Sequence, residues 1–179
     1  MKTITVHDKQ FSRFIAKKAI KQKVKDIAKQ INKKYKKENP IFIIVLRGAF
    51  PFGAALVNQF KHSCQIEFVQ LTSYQGMQST QNISMQQSYK DEILKNRTII
   101  IIEDIVDTGF TMNHFITHLK DKQCKKVYLA ALLLKPDCLQ FEINIDYLGF
   151  SIPNKFVVGY GLDYNEQGRN LAHIYQLAE

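Results

Sequence analysis

A chain of 179 residues with 45% apolar content is long enough for one packed domain with a layered core. It contains no apolar run near the roughly twenty residues that a membrane helix needs, which excludes that class. The net charge of +9 invites a nucleic-acid reading, but residues 1–40 hold thirteen Lys/Arg against three Asp/Glu, while the remaining chain holds twelve against thirteen.

The basicity therefore belongs to the first helix. Met1–Gln10 is polar and mixed in charge, so no secretory leader is expected. Ile20, Val24, Ile27, Ala28, Ile31 and Tyr35 then fall on one helical face, and lysines cover the other. No aromatic residues interleave with those lysines and no DNA- or RNA-binding motif accompanies them, so the face reads as solvated and a nucleic-acid partner is not expected. An oligomer contact or a lysine-rich source organism would give the same pattern. Cys64, Cys124 and Cys138 lack metal-ligand spacing and cannot all pair, which predicts free thiols in a reducing cytoplasm.

Asn39-Pro40 stops the helix, and Ile41–Leu46 predicts a buried strand. Arg47-Gly48-Ala49-Phe50 follows as a turn whose amides are free to face an anion, although a plain βα turn looks the same. A helix from about Pro51 to Phe60 comes next, with Pro in its first turn. Cys64–Leu71 is a third apolar segment, running into Thr72-Ser73-Tyr74. Gln75–Lys90 is polar and aperiodic, which predicts a long loop acting as a lid or lying disordered.

Asp91–Arg97 leads into the stretch around which the chain is organised. Thr98 and four consecutive isoleucines predict a strand buried on both faces of a parallel sheet. Glu103 and Asp104 follow at its carboxyl end, Asp107 comes three residues later, and Thr108-Gly109 makes a tight turn. Thr111–Lys120 has an amphipathic spacing, with Met112, Phe115, Ile116 and Leu119 on one face. Singly, Asp104, Asp107 and Thr108 read as well as caps and turns. Together, three crowded carboxylates repel one another and lose hydration, which calls for a cation or a polyol. The opening amides of a helix attract phosphate, and ligands of open α/β sheets sit at the carboxyl ends of strands. Lys126–Leu134 predicts another strand. A lysine at such a strand's end, Lys135, is ordinarily an edge charge, yet this strand would open onto the same crevice. Tyr147–Ile152 reads as a short strand and Pro153-Asn154 as a turn.

Glu103-Asp104-Ile105-Val106-Asp107-Thr108-Gly109 resembles the phosphoribosyl pyrophosphate motif of the type I phosphoribosyltransferases, with wording closest to the hypoxanthine-guanine branch. Lys155-Phe156-Val157-Val158-Gly159-Tyr160-Gly161-Leu162-Asp163-Tyr164-Asn165-Glu166, with Gly168-Arg169-Asn170-Leu171 behind it, is similar almost residue for residue to the C-terminal motif of that branch. The similarity runs from about His7 to Ile174 without repeats or a linker, so one domain over 1–179 is expected.

The resemblance implies an α/β fold with three layers, a mostly parallel central sheet and a small hood built from the termini. It implies transfer of ribose 5-phosphate to N9 of hypoxanthine or guanine, with Mg²⁺ as cofactor, in a cytoplasmic homodimer or homotetramer. By the same likeness Asp107 is the general base, and Glu103 and Asp104 hold the ribose hydroxyls and, with Asp163, Mg²⁺. Thr108, Gly109, Phe110 and Thr111 cradle the 5-phosphate. Arg47, Gly48 and Arg169 meet pyrophosphate, the first two in a loop that often carries a cis peptide. Ser73 and Tyr74 open the lid. Lys135 donates to the oxygen at C6 of the base, Phe156 stacks on its ring and the Val157 backbone meets its edge.

Three positions depart from the family's habit: Arg47 where Lys is common, Gln81 where Gly is frequent, and Phe110 where relatives often carry Lys or Arg. Two other readings stay open. One is a regulator of the same fold that senses phosphoribosyl pyrophosphate and binds RNA or DNA; the other is an enzyme for xanthine or another oxopurine.

Overall fold

The computed structural model describes residues 3–74 and 82–178. Six strands form the main sheet: β3 (Ile41–Leu46), β4 (Gln65–Tyr74), β5 (Asn82–Gln87), β6 (Thr98–Val106), β7 (Lys126–Leu134) and β8 (Tyr147–Ser151), in the order β5-β4-β3-β6-β7-β8. All neighbours are parallel except the edge pair β4–β5. Helices α1 (Lys17–Tyr35), α2 (Phe50–Val57) and α3 (Phe110–Asp121) complete the layers.

The crossover β3–α2–β4 moves one way along the sheet and β6–α3–β7 the other. Right-handed connections therefore put α2 and α3 on opposite faces. Helix α1 packs against α2 and so joins its layer. The strand order reverses between β3 and β6, and their carboxyl ends flank a crevice there, the place where open α/β sheets bind ligands. The strands that frame it are apolar on both faces: Ile41, Ile43, Ile99, Ile100, Ile101 and Leu132 are fully buried. Helix α1 buries Ile20, Val24, Ile27, Ala28, Ile31 and Tyr35, the residues its periodicity singles out.

A second sheet forms the hood, in the order β1 (Thr3–Val6), β2 (Lys9–Ile15), β10 (Ile174–Leu177), β9 (Val157–Val158), all antiparallel. It has its own small core of Val6, Phe11, Val158 and Tyr175.

Two local expectations change. Strand β6 does not end before the carboxylates; Glu103 and Asp104 belong to it, because β7 pairs with it as far as Val106. Residues 82–87, read as part of a long loop, form β5, held to β4 by a backbone ladder that needs no apolar side chains. The polar first ten residues contain β1 and begin β2. Smaller shifts move α2 to an earlier end at Val57 and carry β4 on through Ser73-Tyr74. Gln81 and the rest of 75–81 lie outside the described residues, so the lid expectation falls there in part.

Candidate functional site

Strand alternation sends consecutive carboxylates to opposite faces of β6. Glu103 and Asp107 line one small cavity of about 100 Å³ with Thr108, Gly109 and Thr111. Asp104 points the other way, against Gly48 of the β3–α2 turn: a Cβ on Gly48 would overlap the Asp104 carboxyl oxygens. Glycine is what lets that turn approach the acidic strand.

The small cavity is a phosphate-sized cradle at the N-terminus of α3. Gly109 precedes the helix in the left-handed region, φ 81°, and as the N-cap residue it has no side chain with which to cap the opening amides. Thr108 folds back so that its hydroxyl accepts from the Phe110 amide at 3.3 Å. The segment after β7 braces the cradle from behind. Gln140 N–H donates to the Thr108 carbonyl at 2.9 Å, and the Phe110 ring tilts against Phe141 with centroids 5.6 Å apart. Phe110 is not part of the cradle's lining; its ring packs on the segment after β7.

Glu103 is buried, and its Oε2 has no hydrogen-bond partner among the described residues. Burial, and then the neighbouring Asp104 carboxylate, hold its carboxyl well above the usual range. Burial also pushes Asp104 up to about 6, opposed by backbone amides and by the Arg169 guanidinium. These two groups keep their protons more readily than surface carboxylates do, so the strand end can tolerate both until a ligand arrives.

Asp107 is exposed and paired. Lys135 Nζ donates to its Oδ2 at 2.8 Å, and the Lys135 residue is only 8% exposed. The lysine is therefore held inside the crevice instead of reaching solvent. Its amide also donates to the Val106 carbonyl at 3.0 Å, which fixes the β7 end beside the β6 end.

The β3–α2 turn carries a cis peptide between Leu46 and Arg47. Arg47 is exposed, with Nη1 3.5 Å from Glu166 Oε1. Arg169 Nη2 pairs with Asp163 Oδ1 at 2.7 Å, and its Nη1 donates to the Gly161 carbonyl at 2.8 Å. Gly161, at φ 103°, leaves no room for a Cβ beside the Gly48 carbonyl, so the C-terminal loop lies directly on the Arg47–Gly48 turn.

Phe156 takes its ring contacts from the hood, with Tyr164 at 5.8 Å and Phe11 at 6.3 Å, and stays 46% exposed. Val157 is buried in β9, opposite Gln176. Ser73 and Tyr74 stand at the end of β4, paired through the backbone with Ile83 and Asn82.

The expected residues therefore gather into three groups: the cradle with Asp107 and Lys135, the Gly48–Asp104–Arg169–Asp163 cluster, and the hood ring Phe156. Sequence reasoning missed Gly161 and Glu166 as members of the second group, although both lie inside the C-terminal motif. It also missed Cys138, whose thiol is raised by desolvation and then by Asp107; nothing in its spacing marks it.

The phosphoribosyl transferase domain model matches residues 12–165. The chain belongs to the phosphoribosyltransferase family. It is 35% identical over 176 residues to a hypoxanthine-guanine phosphoribosyltransferase of Aquifex aeolicus, covering 97% of this chain and 98% of the other. It is 39% identical over 163 residues to a hypoxanthine phosphoribosyltransferase of Buchnera aphidicola, covering 89% and 92%. A crystal structure of a hypoxanthine phosphoribosyltransferase from Staphylococcus aureus superposes with TM-score 0.87 at 29% identity, covering 93% and 91%. As a phosphoribosyltransferase, the chain places its family motif where the fold requires, at the reversal of strand order.

Proposed function

We propose that this phosphoribosyltransferase moves ribose 5-phosphate from phosphoribosyl pyrophosphate to N9 of hypoxanthine or guanine, giving IMP or GMP and pyrophosphate in purine salvage. The position of Asp107 carries the reading. It lines the phosphate cradle and at the same time pairs with buried Lys135, so the group that holds the sugar phosphate borders the groups suited to a purine edge.

The amides and hydroxyls of Asp107 to Thr111 hold the 5-phosphate, favoured by the positive end of α3. Glu103 and Asp104 receive the ribose hydroxyls. Arg47, Gly48 and Arg169 take the pyrophosphate, a task suited to the guanidinium fork. Phe156 stacks on the base, the Val157 backbone meets its edge, and Lys135 donates to the oxygen at C6. Ser73 and Tyr74 border the reacting centre at the end of β4. Breaking of the bond at C1′ leads formation of the new one, through an oxocarbenium-like transition state. Asp107 then accepts the proton from N7 as N9 attacks.

Among the described residues there is no group of three or more His, Cys, Asp or Glu able to hold a metal unaided. That suits Mg²⁺, which binds one or two carboxylates together with substrate phosphates and water. Glu103 Oε2, without a partner among the described residues, and the carboxylates of Asp104 and Asp163 would supply hard oxygens for it. When bound, the ion neutralises charge on the departing pyrophosphate.

One domain spans residues 1–179 in this reading, and the enzyme works in the cytoplasm as a homodimer or homotetramer. Free Cys64, Cys124 and Cys138 suit a reducing compartment, and no helix among the described residues is long and apolar enough to cross a membrane.

The test is a spectrophotometric assay with Mg²⁺, phosphoribosyl pyrophosphate and, separately, hypoxanthine, guanine, xanthine and adenine. Turnover of hypoxanthine or guanine is expected. Turnover of xanthine alone moves the assignment to that oxopurine, and no turnover of any base overturns it.

A further inference from the structure

Both guanidiniums assigned to pyrophosphate are engaged by carboxylates from one short turn. Asp163 Oδ1 holds Arg169 Nη2 at 2.7 Å, and Glu166 Oε1 lies 3.5 Å from Arg47 Nη1. The Glu166 amide donates to Asp163 Oδ2 at 2.8 Å, which ties the two acidic residues into one unit. Reciprocal backbone bonds between Tyr164 and Gln167, at 2.9 and 3.1 Å, close that unit. Asn165 and Glu166 both adopt left-handed backbone, φ 49° and 63°, to make the turn. Arg47 and Arg169 also line one cavity of about 500 Å³, together with Lys17, Phe50 and Tyr160.

We infer that the turn from Asp163 to Glu166 is an internal stand-in for pyrophosphate, and that Glu166 is a positioning residue that parks Arg47 until pyrophosphate oxygens replace its carboxylate. The inference rests on the reading that Arg47 and Arg169 bind pyrophosphate. Two linked carboxylates present what pyrophosphate presents, paired anionic oxygens that accept charge-assisted bonds from guanidinium. Keeping each arginine paired in the empty site avoids leaving two cations facing each other across one cavity. The exchange has a second effect: the Glu166 carboxylate competes with the incoming pyrophosphate group and helps expel the product. Asp163 is already assigned to Mg²⁺, which leaves Glu166 as the residue whose only task is this competition.

Glu166 is 78% exposed and Arg47 60%, so their pair is weak and the competition modest. Steady-state kinetics of wild type, Glu166→Gln, Arg47→Ala and the double variant test it. Glu166→Gln is expected to lower both KM for phosphoribosyl pyrophosphate and the inhibition constant of inorganic pyrophosphate, by roughly two- to fivefold. KM for the purine should stay unchanged. In the Arg47→Ala background the substitution at 166 should do nothing, because its effect passes through Arg47. An unchanged or raised KM for phosphoribosyl pyrophosphate in Glu166→Gln overturns the inference, as does an equal fall in both backgrounds. The side chain is exposed, and a thermal midpoint within a few degrees of wild type checks that the variant folds. Wild type that turns over no purine overturns the functional reading itself, whereas an active wild type with an unmoved KM overturns this inference alone.

Discussion

Asp107 serves two neighbours with opposite needs. In the empty site its carboxylate neutralises buried Lys135 at 2.8 Å; in the proposed reaction it must accept a proton from the purine. Asparagine keeps the shape and removes the charge. Asp107→Asn is therefore expected to lower kcat by about 10²–10⁴-fold, the usual scale of general-base help, with little change in KM. Steady-state kinetics decide this, and undiminished turnover would remove Asp107 from the proton-accepting role. In the proposed site the partly exposed Phe156 ring is the one that stacks on the base. Loss of stacking is worth about 1–3 kcal/mol per base, so Phe156→Ala should raise KM for the purine about tenfold and leave KM for phosphoribosyl pyrophosphate near wild type. At this scale the residue types were legible in the sequence, but their partners were not. That Lys135 turns inward to Asp107, and that Phe110 packs on Phe141, depends on segments 28 and 31 residues away in the chain.

Between elements, Glu38 joins the end of α1 to the starts of β6 and β7. The Thr98 hydroxyl donates to Glu38 Oε2 at 2.6 Å, and Lys125 Nζ lies 3.3 Å from the same oxygen. The Thr98 hydrogen bond first, and Lys125 after it, lower the Glu38 carboxyl below its ordinary 4.5. A lowered carboxylate stabilises the fold fully above its unfolded value, and that contribution disappears as pH falls through the folded value. Glu38→Gln should therefore bring the thermal midpoint down at neutral pH and flatten its decline below about pH 4.5. Melting curves from pH 3 to 7 show whether the slopes differ; parallel curves would remove Glu38 from the acid response. The same scale shows why some elements announced themselves. Strand β3 and the middles of β6 and β7 are buried on both faces and must be apolar there, and α1 must bury one side only. Strand β5 lies at the sheet edge, where pairing to β4 is by backbone and Asn, Ser and Gln serve as well as Val. The continuation of β6 through Glu103 and Asp104 was hidden for a related reason: charged side chains read as a strand's end, yet the ladder to β7 persists as far as Val106.

In the molecule as a whole, the hood keeps a small cluster of its own, shares Ile15, Val157 and Ile174 with the main core, and meets the main sheet where the C-terminal loop lies on the β3–α2 turn. Gly161 is the tightest point of that seam. A methyl group there would strike the Gly48 carbonyl and would also be strained at φ 103°. Gly161→Ala is expected to depress kcat/KM for phosphoribosyl pyrophosphate more strongly than it depresses the melting midpoint, since the collision falls on the turn that carries Arg47 and Gly48. Kinetics alongside calorimetry separate the two effects, and proportionate losses in both would show that the seam is part of the general framework instead. The existence of the hood was implied by family likeness; its hairpin was not read from the first ten residues, because Thr3–Val6 shows only two apolar positions.

Strand β10 sits between β2 and β9, so the last strand in chain order is an interior member of the hood. The platform carrying Phe156 stays unfinished until Ile174–Leu177 has threaded between its neighbours. A break in the chain before Ile174 therefore removes the strand on which β9 and the Phe156 carbonyl are hydrogen-bonded, and with it one wall of the proposed base pocket.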